Sequence, residues 1–207
     1  MFKWYVHVYH NIFVNILSIL FTNFFVITKG TPEFRTTIGA EQTRLDGMNK
    51  AATERGLPIQ YCMATPMDLM QSLTESQVTN GRASSDYASG NNWDIGAGSL
   101  LWSALGLKPS KDNFWTSFDE PYPSEFHPFG SDHNSTEVMA MIAIFSTGPV
   151  GISDRAGYSN ATLIMRLCRA DGRLLQPIRP ITAIDDQFIL RAFNGKSINV
   201  WTTEYGP

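Results

Sequence analysis

Apolar and polar positions divide this chain into short stretches of changing period. Glu41–Arg55 (EQTRLDGMNKAATER) carries Leu45, Met48 and Ala52 at helical spacing, and Gly56-Leu57-Pro58 stops it. Ile59–Ala64 (IQYCMA) is a compact apolar run of strand length, and Thr65-Pro66 opens a short helix through Leu73. A strand around Val78 follows, then a loop rich in Ser, Gly and Asn at residues 88–92. The pattern next predicts a helix from about Trp93 to Leu105, ended by Gly106, and a short strand over Asp112–Thr116 (DNFWT). Ser117–Asp132 is a long loop carrying three prolines and four aromatics, and loops of this length in compact domains are usually functional or disordered. Asn134–Phe145 reads as a helix, apolar at Val138, Met141, Ile142 and Phe145, and Gly148-Pro149 breaks it. Val150–Ser153 is a strand that ends at Asp154, and Thr162–Cys168 is a helix. After Pro177 and Pro180 the texture changes. Phe188–Phe193 and Ser197–Thr203 alternate like the arms of a hairpin across Asn194-Gly195.

Strands alternating with helices imply parallel βα units, and short apolar strands suit a sheet covered on both faces. Polar residues gather just past the strand ends: Thr65, Arg82 and Asp86, Trp115, and Asp154. In a (β/α) barrel that rim is the active face, where residues from neighbouring strands converge. The expected fold class is therefore α/β: a partial (β/α)8 TIM barrel of C-terminal βα units over residues 31–184. The start of a C-terminal antiparallel β domain follows over 185–207. The units counted here make half a barrel, so further strands are expected upstream.

Residues 1–30 differ from the rest. Ile12–Ile27 (IFVNILSILFTNFFVI) is almost wholly apolar, preceded by Lys3 and followed by Lys29. It is shorter than the ~20 residues that span a bilayer comfortably. It fits a signal-peptide core or a short signal anchor, and it is equally open to a wrong start in the gene model. Residues 12–27 are the segment through which membrane association is expected. Asn134-Ser135-Thr136 and Asn160-Ala161-Thr162 are N-glycosylation sequons. With the leader they accord with a secreted protein or one of the secretory pathway, lysosome-like or membrane-anchored.

Composition narrows the chemistry. A formal net charge of −3 over 207 residues gives no nucleic-acid footprint and no mark of disorder. Cys62 and Cys168 form no disulfide framework and no metal spacing, and His7, His10, His127 and His133 include no HExxH pair. There is no GxGxxG and no P-loop lysine motif. Neither a metal nor a cofactor is expected.

The most informative stretch is Val78–Tyr87 (VTNGRASSDY), a short strand that ends in Arg82 and Asp86 among small residues. A guanidinium fork and a carboxylate presented into open space suit a hydroxyl-rich ligand. The Asp serves as acid or base where its surroundings raise its pKa. The alternative is a surface ion pair at a turn. Asp154 is open to two readings, sugar ligand or helix N-cap and turn residue. Trp115 is likewise open to two, an apolar platform for a pyranose face or core packing. Tyr61 and Cys62 stand where a barrel mouth would be lined, although a buried Cys is ordinarily structural.

These residues resemble a known family. Gly56–Phe188 looks like the C-terminal half of the catalytic barrel in the alpha-galactosidase and raffinose synthase superfamily of glycoside hydrolases. Arg82-Ala83-Ser84-Ser85-Asp86-Tyr87 resembles the family's arginine and acid/base aspartate after the sixth strand. Glu137–Gly157 (EVMAMIAIFSTGPVGISDRAG) resembles its helix, Gly-Pro break, eighth strand and S-D-x-x-G turn. Leu167–Asp185, with Asp171-Gly172-Arg173-Leu174-Leu175 and Arg179-Pro180-Ile181-Thr182, is similar to the segment leading out to the β domain. Ser110–Ser117 matches the seventh strand with different spacing. The likeness spans about two thirds of the chain. The resemblance implies retaining hydrolysis or transfer at an alpha-galactoside without a cofactor. Asp86 would be the acid/base, and Arg82, Trp115 and Asp154 would hold the sugar. Such chemistry needs a second carboxyl about 5 Å away. The family places that nucleophile after the fourth strand in a Lys-x-Asp context, which does not occur ahead of Thr31 here. The isolated chain is therefore expected to be incomplete and inactive. Two further readings stay open, a non-catalytic carbohydrate-binding relative and a truncated gene product.

Overall fold

A computed structural model of the chain describes residues 32, 36–62, 64, 66–84, 95–117, 136–194 and 201–206. The leader, Asp86, the loop 118–132 and the Asn134 sequon position lie outside them. The described residues fall into two compact units, one ending at Arg82 and the other beginning at Ala83.

The first unit opens with α1 (Ala40–Arg55). Its apolar stripe is thin: Leu45 is buried while Met48 and Ala52 are half-buried. Then come β1 (Ile59–Tyr61), α2 (Pro66–Gln71), a 3-10 turn at Ser72–Thr74, and β2 (Val78–Arg82). Proline suits the first position of α2, where its missing N–H is not needed. β1 and β2 run parallel, pairing Ile59 with Val78, Gln60 with Asn80 and Tyr61 with Gly81. This is the strand–helix–strand unit that the alternation predicted. The Asn49 side chain of α1 accepts a hydrogen bond from the Gln77 backbone at 2.9 Å, tying the helix to the start of β2.

The second unit is built around a helix that is apolar on almost every side. Its elements are α3 (Gly96–Ala104), β3 (Lys108–Ser110), α4 (Thr136–Phe145), α5 (Ala161–Arg166), β4 (Arg179–Ala183), α6 (Asp185–Asn194) and β5 (Trp201–Glu204). One face of α4 packs Met139, Ala140, Ala143 and Ile144 against Phe114, Leu163 and Leu167. Another puts Ile142 against Ile95 and Ile181. A helix buried on several faces carries apolar residues all round. The stripe read from sequence is corrected here. Met141 is 52% exposed, and the small Ala140 and Ala143 face inward instead.

Three further expectations differ. Phe188–Phe193 was expected as one arm of a hairpin but lies inside α6. Six alternating residues do not separate strand from helix, and Asp185 and Asp186 in the first turn complement the helix dipole. The antiparallel pair instead joins β4 to β5, matching Arg179 with Glu204 and Ala183 with Trp201. The strands expected over Asp112–Thr116 and Val150–Ser153 contract to one parallel bridge between Phe114 and Ile152. Strand geometry appears earlier, at Lys108–Ser110, where Pro109 hides it from a propensity reading.

Backbones approach closely at three glycines, Gly96, Gly98 and Gly148. A Cβ on Gly96 would lie 2.8 Å from the Ala183 nitrogen, and one on Gly148 would lie 2.3 Å from the Pro109 carbonyl oxygen. Backbone atoms cannot swing aside. Gly148→Ala is therefore expected to cost about 1–3 kcal/mol by overpacking. Gly47→Ala, on open helix surface with nothing within 4 Å, should gain about 0.5–1 kcal/mol. Chemical denaturation of the two variants checks both signs.

Candidate functional site

The second unit brings two polar strand ends together. At the Phe114–Ile152 bridge the Phe114 N–H donates to the Gly151 carbonyl at 3.3 Å, and the Ser153 N–H donates to the Phe114 carbonyl at 2.9 Å. The residues just past the bridge are Trp115 and Thr116 on one run, Ser153 and Asp154 on the other. Asp154 takes hold of Thr116 twice. Its Oδ1 accepts from the Thr116 backbone N–H at 2.7 Å, and its Oδ2 accepts from the Thr116 hydroxyl at 2.5 Å. The same hydroxyl accepts from the Asn160 backbone N–H at 2.8 Å. The Asn160 side chain in turn caps α5, its Oδ1 accepting from the Leu163 N–H at 3.0 Å. Asn113 donates through Nδ2 to the Ser153 hydroxyl beside this chain of bonds.

The sequence candidates among the described residues now have places. Asp154 lies two residues past the Phe114–Ile152 bridge, with both carboxylate oxygens engaged by Thr116. An oxygen of this kind has a second lone pair, so a ligand hydroxyl still finds an acceptor there. Trp115 is only 9% exposed, which fits core packing and not an open sugar platform. Arg82 closes β2 in the first unit. Asp86 lies outside the described residues.

Other charged groups could not be found by motif. Lys111 follows β3 and is 4% exposed, with its Nζ 3.1 Å from the Asp112 carbonyl and 5.6 Å from the centre of the Phe114 ring. Burial pulls its pKa down to about 8, against the opposing pull of the Asp112 carboxylate. In the first unit Gln42 donates through Nε2 to Asp46 at 2.8 Å and to Glu75 at 3.1 Å. Glu75 is 3% exposed, and burial followed by its hydrogen bond to Asp46 raises its carboxyl pKa. Tyr61, at the end of β1, is pushed up to about 12 by burial and then by the Glu75 and Asp68 carboxylates. Cys62 beside it is half-buried and in no disulfide. Among the described residues no group of His, Cys, Asp and Glu is arranged to hold a metal, and no helix is long and apolar enough to cross a membrane.

A hollow of about 540 Å³ lies elsewhere in the second unit, along α3 and the β4–β5 pair. Ser103, Thr182, Thr202 and Thr203 line it with hydroxyls, and Arg179 and Glu204 face each other there at 3.5 Å. Neither Trp115 nor Asp154 reaches it.

No family model, curated protein or solved structure matches the chain.

Two outcomes follow from this geometry. Asp154→Ala strands a Thr116 N–H and a hydroxyl on a residue only 1% exposed, and should cost about 2–4 kcal/mol in chemical denaturation. Lys111 sets a pH dependence. Its folded pKa of about 8 lies below the unfolded value of 10.5, so the unfolded chain binds more protons between the two. Its contribution to stability should therefore rise with pH through that window and be least favourable below pH 8. Comparing Lys111→Met with the parent across pH 7–10 checks the sign: the variant should be the more stable at pH 7 and should lose that advantage by pH 10.

Proposed function

We propose that this chain recognises alpha-galactosides, as a glycoside hydrolase-like protein of the alpha-galactosidase and raffinose synthase type. The observation that carries the reading is the strand-end arrangement of the second unit. Two parallel runs meet at Phe114 and Ile152, with the helix α4 between them in sequence, and both turn polar immediately past the bridge. Such a placement accords with the rim of a (β/α) barrel, and Asp154 lies in the segment that resembles the family's S-D-x-x-G turn.

The roles follow from the chemistry. Asp86 is the acid/base that protonates the leaving oxygen, and Arg82 is the fork that donates to sugar hydroxyls. Asp154 fixes Thr116 and offers its remaining lone pairs to a hydroxyl. Trp115 supports the rim from within. Hydrolysis with retention requires a further carboxylate as nucleophile.

One observation favours a non-catalytic carbohydrate-binding relative as the second reading. Trp115 is packed and Asp154 is committed to Thr116, so both hold the rim in shape in addition to any contact with sugar.

Ligand-observed NMR of the full chain with methyl alpha-galactoside, beside turnover of an aryl alpha-galactoside, tests the proposal. Saturable binding is expected, preferring the galactoside over the alpha-glucoside and weakened at least tenfold by Arg82→Ala. Where turnover is present, Asp86→Asn should lower it by roughly 10²–10⁴-fold, least for substrates with a good leaving group. Binding without turnover selects the non-catalytic reading. A chain that binds neither sugar, or that keeps full affinity in Arg82→Ala, overturns both.

A further inference from the structure

We infer that Asn160 is an acceptor for an N-linked glycan. Asn160-Ala161-Thr162 is a complete sequon with no proline in the middle position. Asn160 is exposed, in extended backbone with φ −77° and ψ 91°, and Thr162 is exposed as well. The carboxamide is held by one end only. Its oxygen accepts from the Leu163 N–H, and among the described residues its Nδ2 enters no hydrogen bond. Capping therefore uses the atom that glycosylation leaves intact. A glycan on Nδ2 keeps the carbonyl oxygen, and the cap survives the modification.

The other sequon differs. Thr136, its hydroxyl residue, is 8% exposed and donates to the Glu137 carboxylate at 3.3 Å. The Asn160 motif is thus the one of the two whose hydroxyl residue stands at the surface.

The chemistry is a group transfer from an oligosaccharide carried on a lipid diphosphate. The Asn160 Nδ2 bonds to the anomeric carbon of the sugar. The carbon–oxygen bond to the diphosphate breaks, the lipid diphosphate leaves with that electron pair, and one amide proton passes to a base. Entry into the secretory pathway is required, and the apolar run Ile12–Ile27 is the segment that fits such entry. None of this depends on the sugar-recognition reading, since the chain is here the acceptor and not the receptor.

The experiment is expression of the full chain in secretion-competent eukaryotic cells. Digestion with peptide N-glycosidase in heavy-oxygen water, followed by peptide mass mapping, reads the site. Residue 160 should appear as aspartate carrying the label, with a glycosidase-sensitive mobility shift in the intact chain. Thr162→Ala leaves the cap untouched and should abolish labelling at 160. Asn160→Asp keeps a capping oxygen, removes the acceptor nitrogen, and should lose the glycan with an unchanged melting midpoint. An unlabelled Asn160 peptide from the parent chain, or label at 160 that persists in Thr162→Ala, overturns the assignment.

Discussion

The second unit depends on the burial of α4. Ten residues carry two apolar faces, and each meets a different set of partners: Phe114, Leu163 and Leu167 on one side, Ile95 and Ile181 on the other. Small residues make this possible. Ala140 and Ala143 are almost wholly buried among Phe114, Leu163 and Leu167. The exit of the helix is equally tight. Ser146 is fully buried and turns its hydroxyl back to the Ala143 carbonyl at 2.7 Å. Thr147 adopts a left-handed conformation at φ 66°, one that a β-branched residue ordinarily avoids. Gln176 then fastens the Gly148 carbonyl at 2.7 Å. The strand end that carries Asp154 is placed by this sequence of constraints.

Polar groups in the same unit are costly to bury, and they are treated in two ways. Asp154 is met by two donors of Thr116, its backbone N–H and its hydroxyl. Lys111 has a carbonyl and an aromatic face close by, and burial outweighs the Asp112 carboxylate in setting its proton affinity. Partnered charge and strained charge thus occur in the same unit. Residues whose protonation is shifted in this way concentrate at functional sites as well as in structural networks. In the first unit Glu75 follows the same logic, sheltered by Gln42 and made to compete with Asp46.

Much of the element order was legible in the chain, because helical period over ten or more residues is a strong signal. Helices read over Glu41–Arg55, about Trp93–Leu105, Asn134–Phe145 and the shorter Thr162–Cys168 fall on α1, α3, α4 and α5, and the strand read around Val78 falls on β2. Short pieces were less legible. Pro109 and Pro180 sit inside strands that a propensity reading passes over, and six alternating residues at Phe188–Phe193 looked like a strand within what is a helix. At the candidate site, the position of Asp154 was read and its partner was not. Thr116 lies 38 residues away, and no spacing rule links a carboxylate to a hydroxyl at that distance. Lys111 is charged in a run that gives no sign of burial, so its depressed pKa needed the three-dimensional packing. Gln42, Asp46 and Glu75 came together in the same unannounced way.

The bonds that join Asp154, Thr116 and Asn160 have a direction. A threonine hydroxyl owns one proton, and here it is committed to the carboxylate, while a lone pair receives the Asn160 N–H, 44 residues further along the chain. Any change in the electron density of the carboxylate therefore polarises the hydroxyl and, through it, that one amide. The Asn160 amide resonance is thus a built-in reporter. It registers what arrives at Asp154 without a label and without itself touching the newcomer.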